Sequence, residues 1–194
     1  MANHVYNYIT IQTENKECQA EWDKLFTNYH EEVERPSYHG DGTIKIKEYK
    51  EIQKHPFFEV PYDEDDWYSW GCEHVGAKWA HIEDADEHFA YIVSAWSPVI
   101  PYLESLYNYL RQEDEEVVIR CQYEDEFRNF IGVWQNGDFE EYDGGDLNSD
   151  FEEKYKVDLS DEEFCWSDEH KESGRCYDEL YDDMVYDWFS EVVV

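Results

Sequence analysis

Apolar and polar residues alternate along several short runs of this chain, and each such run predicts a β-strand. In the first run, residues 4–12, the apolar and aromatic residues alternate with polar ones: Val5, Tyr6, Tyr8, Ile9 and Ile11. Further runs lie at residues 78–82, 89–96, 117–123, 130–134 and 139–142, with a short one at 43–46. The Asn136-Gly137 pair between the last two long runs is a favoured hairpin turn.

Apolar residues at helical spacing predict three helices. The first follows Asn15 as its N-cap and has the stripe Cys18, Trp22, Leu25, Phe26 and Tyr29. Pro98 and Pro101 mark the start of the second helix, which continues through Leu103, Leu106, Tyr107 and Leu110. The third has the stripe Tyr177, Leu180, Tyr181, Met184, Val185, Trp188 and Phe189.

The order strand, helix, strand, strand, helix, strand predicts an α+β fold, a ferredoxin-like βαββαβ sandwich with an extra hairpin at its end. Pro36, Gly40, Gly42, Pro56 and Pro61 mark a long connection over residues 34–66. We expect a ferredoxin-like domain at residues 1–142 and an acidic extension with an amphipathic helix at residues 143–194.

Charge changes this picture more than any other property of the sequence. The formal net charge is −34 over 194 residues, from 49 acidic and 15 basic side chains. Residues 143–194 alone hold 18 acidic and 4 basic side chains, a net charge of −14. Aromatic residues make up 18% of the chain, enough large rings to build a core, so we expect a folded protein with a dense anionic surface.

The sequence lacks features of export. It shows no signal peptide at its start and no apolar run of the roughly 18 residues that a membrane span needs. Its five scattered cysteines are an odd number, typical of reduced thiols. These features predict a protein of the host cell cytoplasm.

Four stretches of the chain resemble the YubB-like ferredoxin-fold family of plasmids and bacteriophages. They are MANHVYN at residues 1–7, DWYSW at 66–70 leading into GAKW at 76–79, SAWSP at 94–98 followed by IP at 100–101, and the closing strands with Glu124 and GVW at 132–134. The sequence departs from the family pattern where Gly76-Ala77 replaces Gly-Thr, and in its acidic tail.

This resemblance implies a ferredoxin-like fold over residues 1–142 and an origin in a mobile genetic element. It carries over no enzymatic activity. It also makes Trp67, Trp70, Trp79 and Trp96 structural residues that pack where the loops meet the sheet, and we expect Trp79 and Trp96 to be largely buried. The alternative is that these rings line a ligand groove.

Several residue sets could bind a metal. Asp146, Asn148 and Asp150 have the spacing that opens an EF-hand loop, but Phe151 and Val157 stand where that loop needs Gly and Glu. A weak Ca²⁺ or Mg²⁺ site is the remaining metal hypothesis here, and a polar turn before a helix N-cap at Ser149 or Asp150 is its alternative. A zinc site is disfavoured because the candidate ligands do not have the paired Cys-x-x-Cys spacing of such sites. These candidates are Cys165, His170, Cys176, Cys72 and His74.

Catalysis has little support in the sequence. With 49 acids, carboxylate pairs arise by chance. A nucleophile pair such as Cys72 and His81 stays an open alternative. Gly144-Gly145 lies between Asp143 and Asp146, which would repel a phosphate. We therefore expect no enzyme and no cofactor.

The charge disfavours a protein that binds nucleic acid and favours one that imitates it. Phosphate binding needs lysine and arginine, whereas 34 negative charges match those of roughly 17 base pairs of duplex. We expect a DNA-mimic inhibitor of a basic nucleic-acid-binding host protein, of an anti-defence type such as anti-restriction or anti-CRISPR. The expected contacts lie on the C-terminal helix: Asp178, Glu179, Asp182, Asp183 and Asp187.

Two alternatives to the mimic stay open. One is a divalent-cation-binding protein or a metal-dependent enzyme with a carboxylate site. The other is a structural or assembly protein whose acidity adapts it to salt.

Overall fold

The computed structural model describes residues 3–36, 42–161, 163–171 and 173–192. Met1, Ala2 and Gly40, which entered the sequence predictions, lie outside these residues. Eight strands and five α-helices are assigned within the described ranges. The strands are β1 (His4–Gln12), β2 (His30–Pro36), β3 (Thr43–Tyr49), β4 (Ala80–Ala85), β5 (Phe89–Ala95), β6 (Val118–Asp125), β7 (Phe130–Gln135) and β8 (Asp138–Asp143).

The helices follow the predicted apolar stripes, with additions. They are α1 (Lys16–Leu25), α2 (Trp67–Trp70), α3 (Ile100–Leu110), α4 (Gly144–Tyr155) and α5 (Tyr177–Glu191). Asn15 caps α1 by accepting hydrogen bonds from the amides of Glu17 and Cys18. A single π-helical turn, Gly71–Val75, continues α2, and a short 3₁₀ turn lies at Ile52–Lys54.

Six of the strands form one antiparallel sheet in the order β4-β5-β1-β6-β7-β8. The α+β class predicted from the sequence is confirmed. Strands β2 and β3 form a separate antiparallel hairpin, in register from His30 opposite Tyr49 to Pro36 opposite Thr43. The sequence predicted only part of β3 there and missed β2.

The inner face of the sheet packs against α1 and α3. Trp22, Leu103 and Leu106 from these helices are fully buried in one cluster with Ile9 and Ile119 of the strands. Burying such side chains contributes about 1.5–3 kcal/mol each. This cluster is the main core.

Helices α4 and α5 cover the outer face only on the side of β7 and β8. Leu147 and Phe151 of α4 and Leu180, Tyr181 and Val185 of α5 are buried in a second cluster with Ile131 of β7. The outer faces of β4, β5 and β1 lie beside this cover, and there Tyr8 is exposed while Tyr6 and Tyr91 are half-buried. Within the described ranges, no helix is long and apolar enough to cross a membrane.

Helix α4 begins earlier than predicted. Asp143 is its N-cap and accepts a hydrogen bond from the amide of Gly145, so Ser149 and Asp150 lie inside the helix and do not cap it. A glycine is needed at position 144, because a Cβ there would lie 2.1 Å from the carbonyl oxygen of Arg128. Gly144 thus lets the start of the helix approach the β6–β7 turn.

The predicted burial of Trp96 is wrong. Its side chain is 60% exposed, and its backbone has a positive φ of 78°, which turns it out of the end of β5. Trp79 is half-buried and packs edge-on against His4, and Trp67 is exposed. Of the four tryptophans assigned to packing, Trp70 is the one that is buried.

Both edges of the sheet are irregular or acidic. At the β4 edge the register shifts between Ile82 and Asp84, which marks a bulge or irregularity. At the other edge, β8 holds four acids in six residues, and they are exposed: Asp138, Glu140, Glu141 and Asp143.

Candidate interaction surfaces

The five acids predicted as partner contacts lie on the exposed side of α5. Leu180, Tyr181 and Val185 hold this helix against β7 and α4, so the acidic side faces solvent. The exposed carboxylates are those of Asp178, Glu179, Asp182, Asp183 and Asp187. Their exposure follows from the amphipathic spacing that the sequence shows.

Three of these five carboxylates have partners in the chain itself. Arg175 pairs with Asp183 and, at 3.5 Å, with Glu179, and Arg128 pairs with Asp178. The hydrogen bond from Arg175 holds the pKa of Asp183 below its usual value. The helix therefore offers fewer free charges to a partner than its sequence suggests.

Asp182 lies in a different environment on the same helix. Partial burial raises the pKa of its carboxyl, and the neighbouring charge of Asp178 raises it further. Burial raises the pKa of Glu124 on the outer face of the sheet, and the charge of Asp182 on α5 raises it further.

Arg128 joins the extension to the sheet. Its guanidinium carbon lies 4.1 Å from the ring centre of Trp166 and 4.2 Å from that of Tyr181. The guanidinium also donates a hydrogen bond to the carboxylate of Asp178. The arginine comes from the β6–β7 turn, so sequence spacing alone does not reveal this contact.

The residues of the weak metal hypothesis lie on α4, whose helical geometry separates them. Asp146 and Asp150 are four residues apart and share a face, but Asn148 points elsewhere and its amide oxygen is buried without a hydrogen bond. Asp150 also accepts a hydrogen bond from the Tyr142 hydroxyl. The loop conformation of an EF-hand is absent here.

The cysteine and histidine candidates are dispersed. Cys176 forms an isolated backbone β-bridge with Glu169, and the His170 ring packs on the rings of Tyr155 and Tyr177. Cys72, Cys165 and His81 are exposed, and the ring of His74 packs on that of Trp70. Within the part of the chain that the structure describes, no three or more His, Cys, Asp or Glu side chains are grouped to hold a metal ion.

One end of the sheet gathers acids that the sequence analysis did not connect. Three loops meet there: β1–α1 (taken together with the first turn of α1), β4–β5 and α3–β6. Together they carry eight carboxylates, which we call the acidic loop end: Glu14, Glu17, Asp86, Glu87, Glu113, Asp114, Glu115 and Glu116. The cationic side chains of the same segments are Lys16, His88 and Arg111.

Hydrogen bonds fix these three loops to one another. The Asn15 side chain donates to the carbonyl of Glu113, and the Gln19 side chain donates to that of Glu87, each at 2.7 Å. The Trp22 indole donates to the carbonyl of Asp86 at 2.9 Å. A cavity of about 730 Å³ lies between the loops. The carboxylates are therefore held on a preorganised frame.

The opposite end of the sheet displays exposed aromatic side chains. Trp67, Tyr68 and Trp96 are 44%, 53% and 60% exposed, and Tyr68 and Trp96 line one shallow cavity with Cys72 and Lys78. Large aromatic residues on a surface are typical of binding hot spots. The positive φ of Trp96 is a costly conformation, which also favours a functional role.

A third surface, the tyrosine groove, lies on the open part of the outer sheet face. It is a cavity of about 330 Å³ between β5, β1, β6 and the end of α5. We define it by the side chains of Tyr6, Tyr8, Tyr91, Gln122, Glu124 and Phe189. No motif in the sequence marked it, although the alternation in β1 places Tyr6 and Tyr8 on one face.

Comparison with known proteins finds no relative: the chain matches no protein-family model, no curated protein and no solved structure. The resemblance to the YubB-like family stays a prediction.

Proposed function

We propose that this chain is a non-catalytic, highly acidic protein that binds the basic nucleic-acid-binding surface of a host protein and blocks it. The observation that supports this best is the acidic loop end, where three hydrogen-bonded loops present eight carboxylates on one side of the molecule. Regularly held negative charge can occupy a groove built for phosphates. The inhibitor would act as a DNA mimic in the host cytoplasm.

The balance of ion pairs supports the same proposal. Within the described residues, ten different carboxylates pair with a basic side chain, and the chain has 49 acids. Three of the ten partners are histidines, which carry a charge only when protonated. The acidic surface is therefore largely left for external cations or a basic partner. Such a surface also speeds association with an oppositely charged protein.

We propose a ferredoxin-like core within this fold. The strand order β4-β5-β1-β6, with α1 between β1 and β4 and α3 between β5 and β6, supports a split βαβ arrangement. The hairpin β7–β8 would then extend this core at the end of a domain at 1–142, and residues 143–194 would be an addition to that domain. Membership of the YubB-like family and a phage or plasmid origin complete this proposal.

An anti-defence role suits these properties. Restriction enzymes, CRISPR effectors and other defence nucleases hold nucleic acid in basic grooves, and a mobile element gains by blocking them. The expected partner is thus any such protein whose nucleic-acid-binding groove is basic.

Affinity capture followed by competition tests the proposal. The full chain, immobilised, is incubated with bacterial lysate, and retained proteins are released by salt and identified. Each retained protein is then titrated with labelled duplex DNA and with the chain. We expect the chain and the DNA to compete for one partner, with an affinity that falls steeply as salt rises.

Two matched variants locate the contact. One changes Glu14, Glu17, Glu113, Glu115 and Glu116 to Gln, and the other changes Asp178, Glu179, Asp182, Asp183 and Asp187 to the corresponding amides. Each removes five charges, so general electrostatics change equally. We expect the loop-end variant to lose more affinity, because three acids of the helix set are already paired with arginines.

Equal losses in the two variants would show that only net charge matters and that the loop end is no specific contact. A retained partner that binds no nucleic acid, or a complex that DNA does not displace, would overturn the mimic proposal.

A further inference from the structure

The tyrosine groove combines flat aromatic surfaces with a carboxylate. Tyr8 pairs across the strands with Tyr91 on one side and Gln122 on the other, and Tyr6 pairs with Glu124 in the adjacent row. Side chains on one face of neighbouring strands lie close together. The outer face of β1 therefore carries rings directly beside a glutamate.

The rings stack in diagonal pairs beside the groove, so each ring covers part of one face of its partner. Tyr6 and Tyr91 lie 6.3 Å apart with 24° between their planes, and Tyr8 and Phe89 lie 5.3 Å apart with 23° between theirs. The Tyr8 side chain is 43% exposed. Phe189, near the end of α5, closes one side. A planar group could enter between Phe189 and the tyrosines.

Glu124 is a half-buried carboxylate without a counter-ion in contact. Among the described residues it has no hydrogen bond and no ion pair, while Glu126 pairs with His4 and Glu83 with His81. Burial raises the pKa of Glu124, and the charge of Asp182 raises it further. A partly desolvated charge of this kind is stabilised by an entering cation.

The nearest arginines of the chain are already engaged. Arg128 is held by Asp178 and two aromatic rings. Arg120 donates to the backbone carbonyls of Phe189 and Val192 at 3.2 and 3.3 Å. Burial raises the pKa of Glu124 more than the charge of Arg128 lowers it, and neither arginine forms an ion pair with Glu124 among the described residues.

We propose that the tyrosine groove binds an arginine side chain of the basic partner, and this inference rests on the function proposed above. The guanidinium would stack on the tyrosine rings and donate hydrogen bonds to Glu124. Arginine suits this site because its planar group forms both cation–π contacts and paired hydrogen bonds to a carboxylate. The groove would add a specific anchor to an interface otherwise driven by diffuse charge.

Two other occupants fit the charge poorly. A nucleic-acid base could stack on the same rings, but single-strand binding also needs a basic groove for the phosphates, and here Glu124, Glu126 and Asp182 lie nearby. A second copy of the chain would bring another net charge of −34 to the same place.

Nuclear magnetic resonance with a capped Gly-Arg-Gly peptide tests the groove without the partner. We expect the peptide to shift the ring resonances of Tyr6, Tyr8 and Tyr91 in a saturable manner. Glu124→Gln should weaken its binding at least about tenfold, the scale of a hydrogen bond to a charged group. Tyr8→Leu, which keeps an apolar side chain but removes the ring face, should weaken it several-fold.

Glu153→Gln is the matched control, because the same substitution removes one exposed carboxylate from α4, and it should change binding less than twofold. Equal weakening in Glu124→Gln and Glu153→Gln, with shifts spread over the acidic surface, would overturn the groove. So would equal binding of Gly-Lys-Gly, stronger shifts from a short oligo-thymidine, or shifts that appear on raising the protein concentration alone. Circular dichroism of each variant verifies its fold, and Tyr8→Leu keeps the test decisive if Glu124→Gln misfolds.

The outcomes separate this inference from the proposed function. Failure of the arginine peptide alongside DNA competition for a captured partner would remove the groove and leave the mimic proposal standing. Specific peptide binding without any nucleic-acid-binding partner would instead remove the proposed function.

Discussion

Trp96 is an aromatic residue in solvent on a backbone that disfavours it. The left-handed region costs a residue with a Cβ roughly 1–2 kcal/mol, and Trp96 has φ +78°. Its ring gains little from packing because it is 60% exposed. Trp22 is the contrast, since it is fully buried and its indole donates a hydrogen bond to Asp86.

These two tryptophans should respond oppositely to substitution. We expect Trp96→Gly to keep or raise the free energy of unfolding, by up to about 1 kcal/mol, because glycine adopts positive φ without strain. Trp22→Ala should lower it by about 3–5 kcal/mol. Denaturant unfolding measures both. A loss of more than about 2 kcal/mol in Trp96→Gly would show that the ring packs after all.

His55 is a buried polar residue in an aromatic box. It is 3% exposed, lies within ring contact of Tyr29, Phe57 and Phe26, and shares a 3.1 Å hydrogen bond with the Tyr102 hydroxyl. Burial lowers its pKa to about 3, so the folded protein holds the ring neutral. The unfolded chain binds a proton at this ring near pH 6.5.

Acid should therefore destabilise the fold through His55. The stability linked to the neutral ring is complete above about pH 6.5 and is lost as the pH falls toward 3. We expect His55→Phe to reduce the loss of unfolding free energy between pH 7 and pH 4.5 by about 2–3 kcal/mol relative to the native chain. Urea titrations at both pH values measure this, and identical pH profiles would contradict it.

Helices α4 and α5 depend on contacts made at a distance in sequence. Arg128, from the β6–β7 turn, is sandwiched between Trp166 and Tyr181 and paired with Asp178. Buried Ile131 of β7 lies in the same cluster as the two helices. The extension at residues 143–194 is thus packed on the sheet over a sizeable apolar patch.

Removing the stacked arginine should loosen α5 before the rest of the chain. We expect Arg128→Ala to lower the free energy of unfolding by about 2 kcal/mol and to speed hydrogen exchange in α5 more than in β1. Arg128→Lys should recover only part of this. Arg175→Ala removes the same charge from exposed pairs and should have a much smaller effect. Equal effects of Arg128→Ala and Arg175→Ala would rule out the stacking contribution.

The elements that could be predicted from the sequence are those with regular patterns of buried residues. The alternation in β1 and the stripes of α1, α3 and α5 give their positions within a few residues. Strand β2 was missed because its residues are mostly charged and its partner β3 supplies the pairing. The start of α4 was missed because two glycines look like a loop, whereas Asp143 caps a helix there.

The candidate surfaces were predicted less completely, for reasons of distance along the chain. The spacing in α5 does predict that Asp182 and Asp187 are exposed, but the arginine beside Asp178 comes from another element. The acidic loop end forms only when the strand order brings three loops together. Sequence shows the runs at residues 83–87 and 113–116, and topology makes them neighbours.

At the scale of the whole molecule, repulsion between carboxylates opposes folding. The net charge of −34 already counts all 15 basic side chains, so 34 of the 49 acidic charges have no positive charge in the chain to balance them. At 0.1 M, dissolved salt largely screens the repulsion between exposed charges that lie more than roughly 10 Å apart. The fold should consequently gain stability from added salt.

Thermal unfolding in sodium chloride tests this directly. We expect the melting temperature to rise by several degrees between about 10 mM and 500 mM salt, because screening relieves repulsion. The five-fold Gln variant of the acidic loop end should melt higher at low salt and show a smaller rise. A melting temperature that does not change with salt would show that the carboxylates are too far apart to repel strongly.

The two sheet edges have a consequence for self-association. An exposed edge strand can recruit another strand and start aggregation, and natural proteins prevent this with charges and bulges. Here β8 presents Asp138, Glu140, Glu141 and Asp143, and β4 has its register shift beside Asp84. A second copy approaching either edge would place like charges opposite one another. Continuous sheets between copies are therefore disfavoured, and we expect the chain to resist fibre formation as its concentration rises.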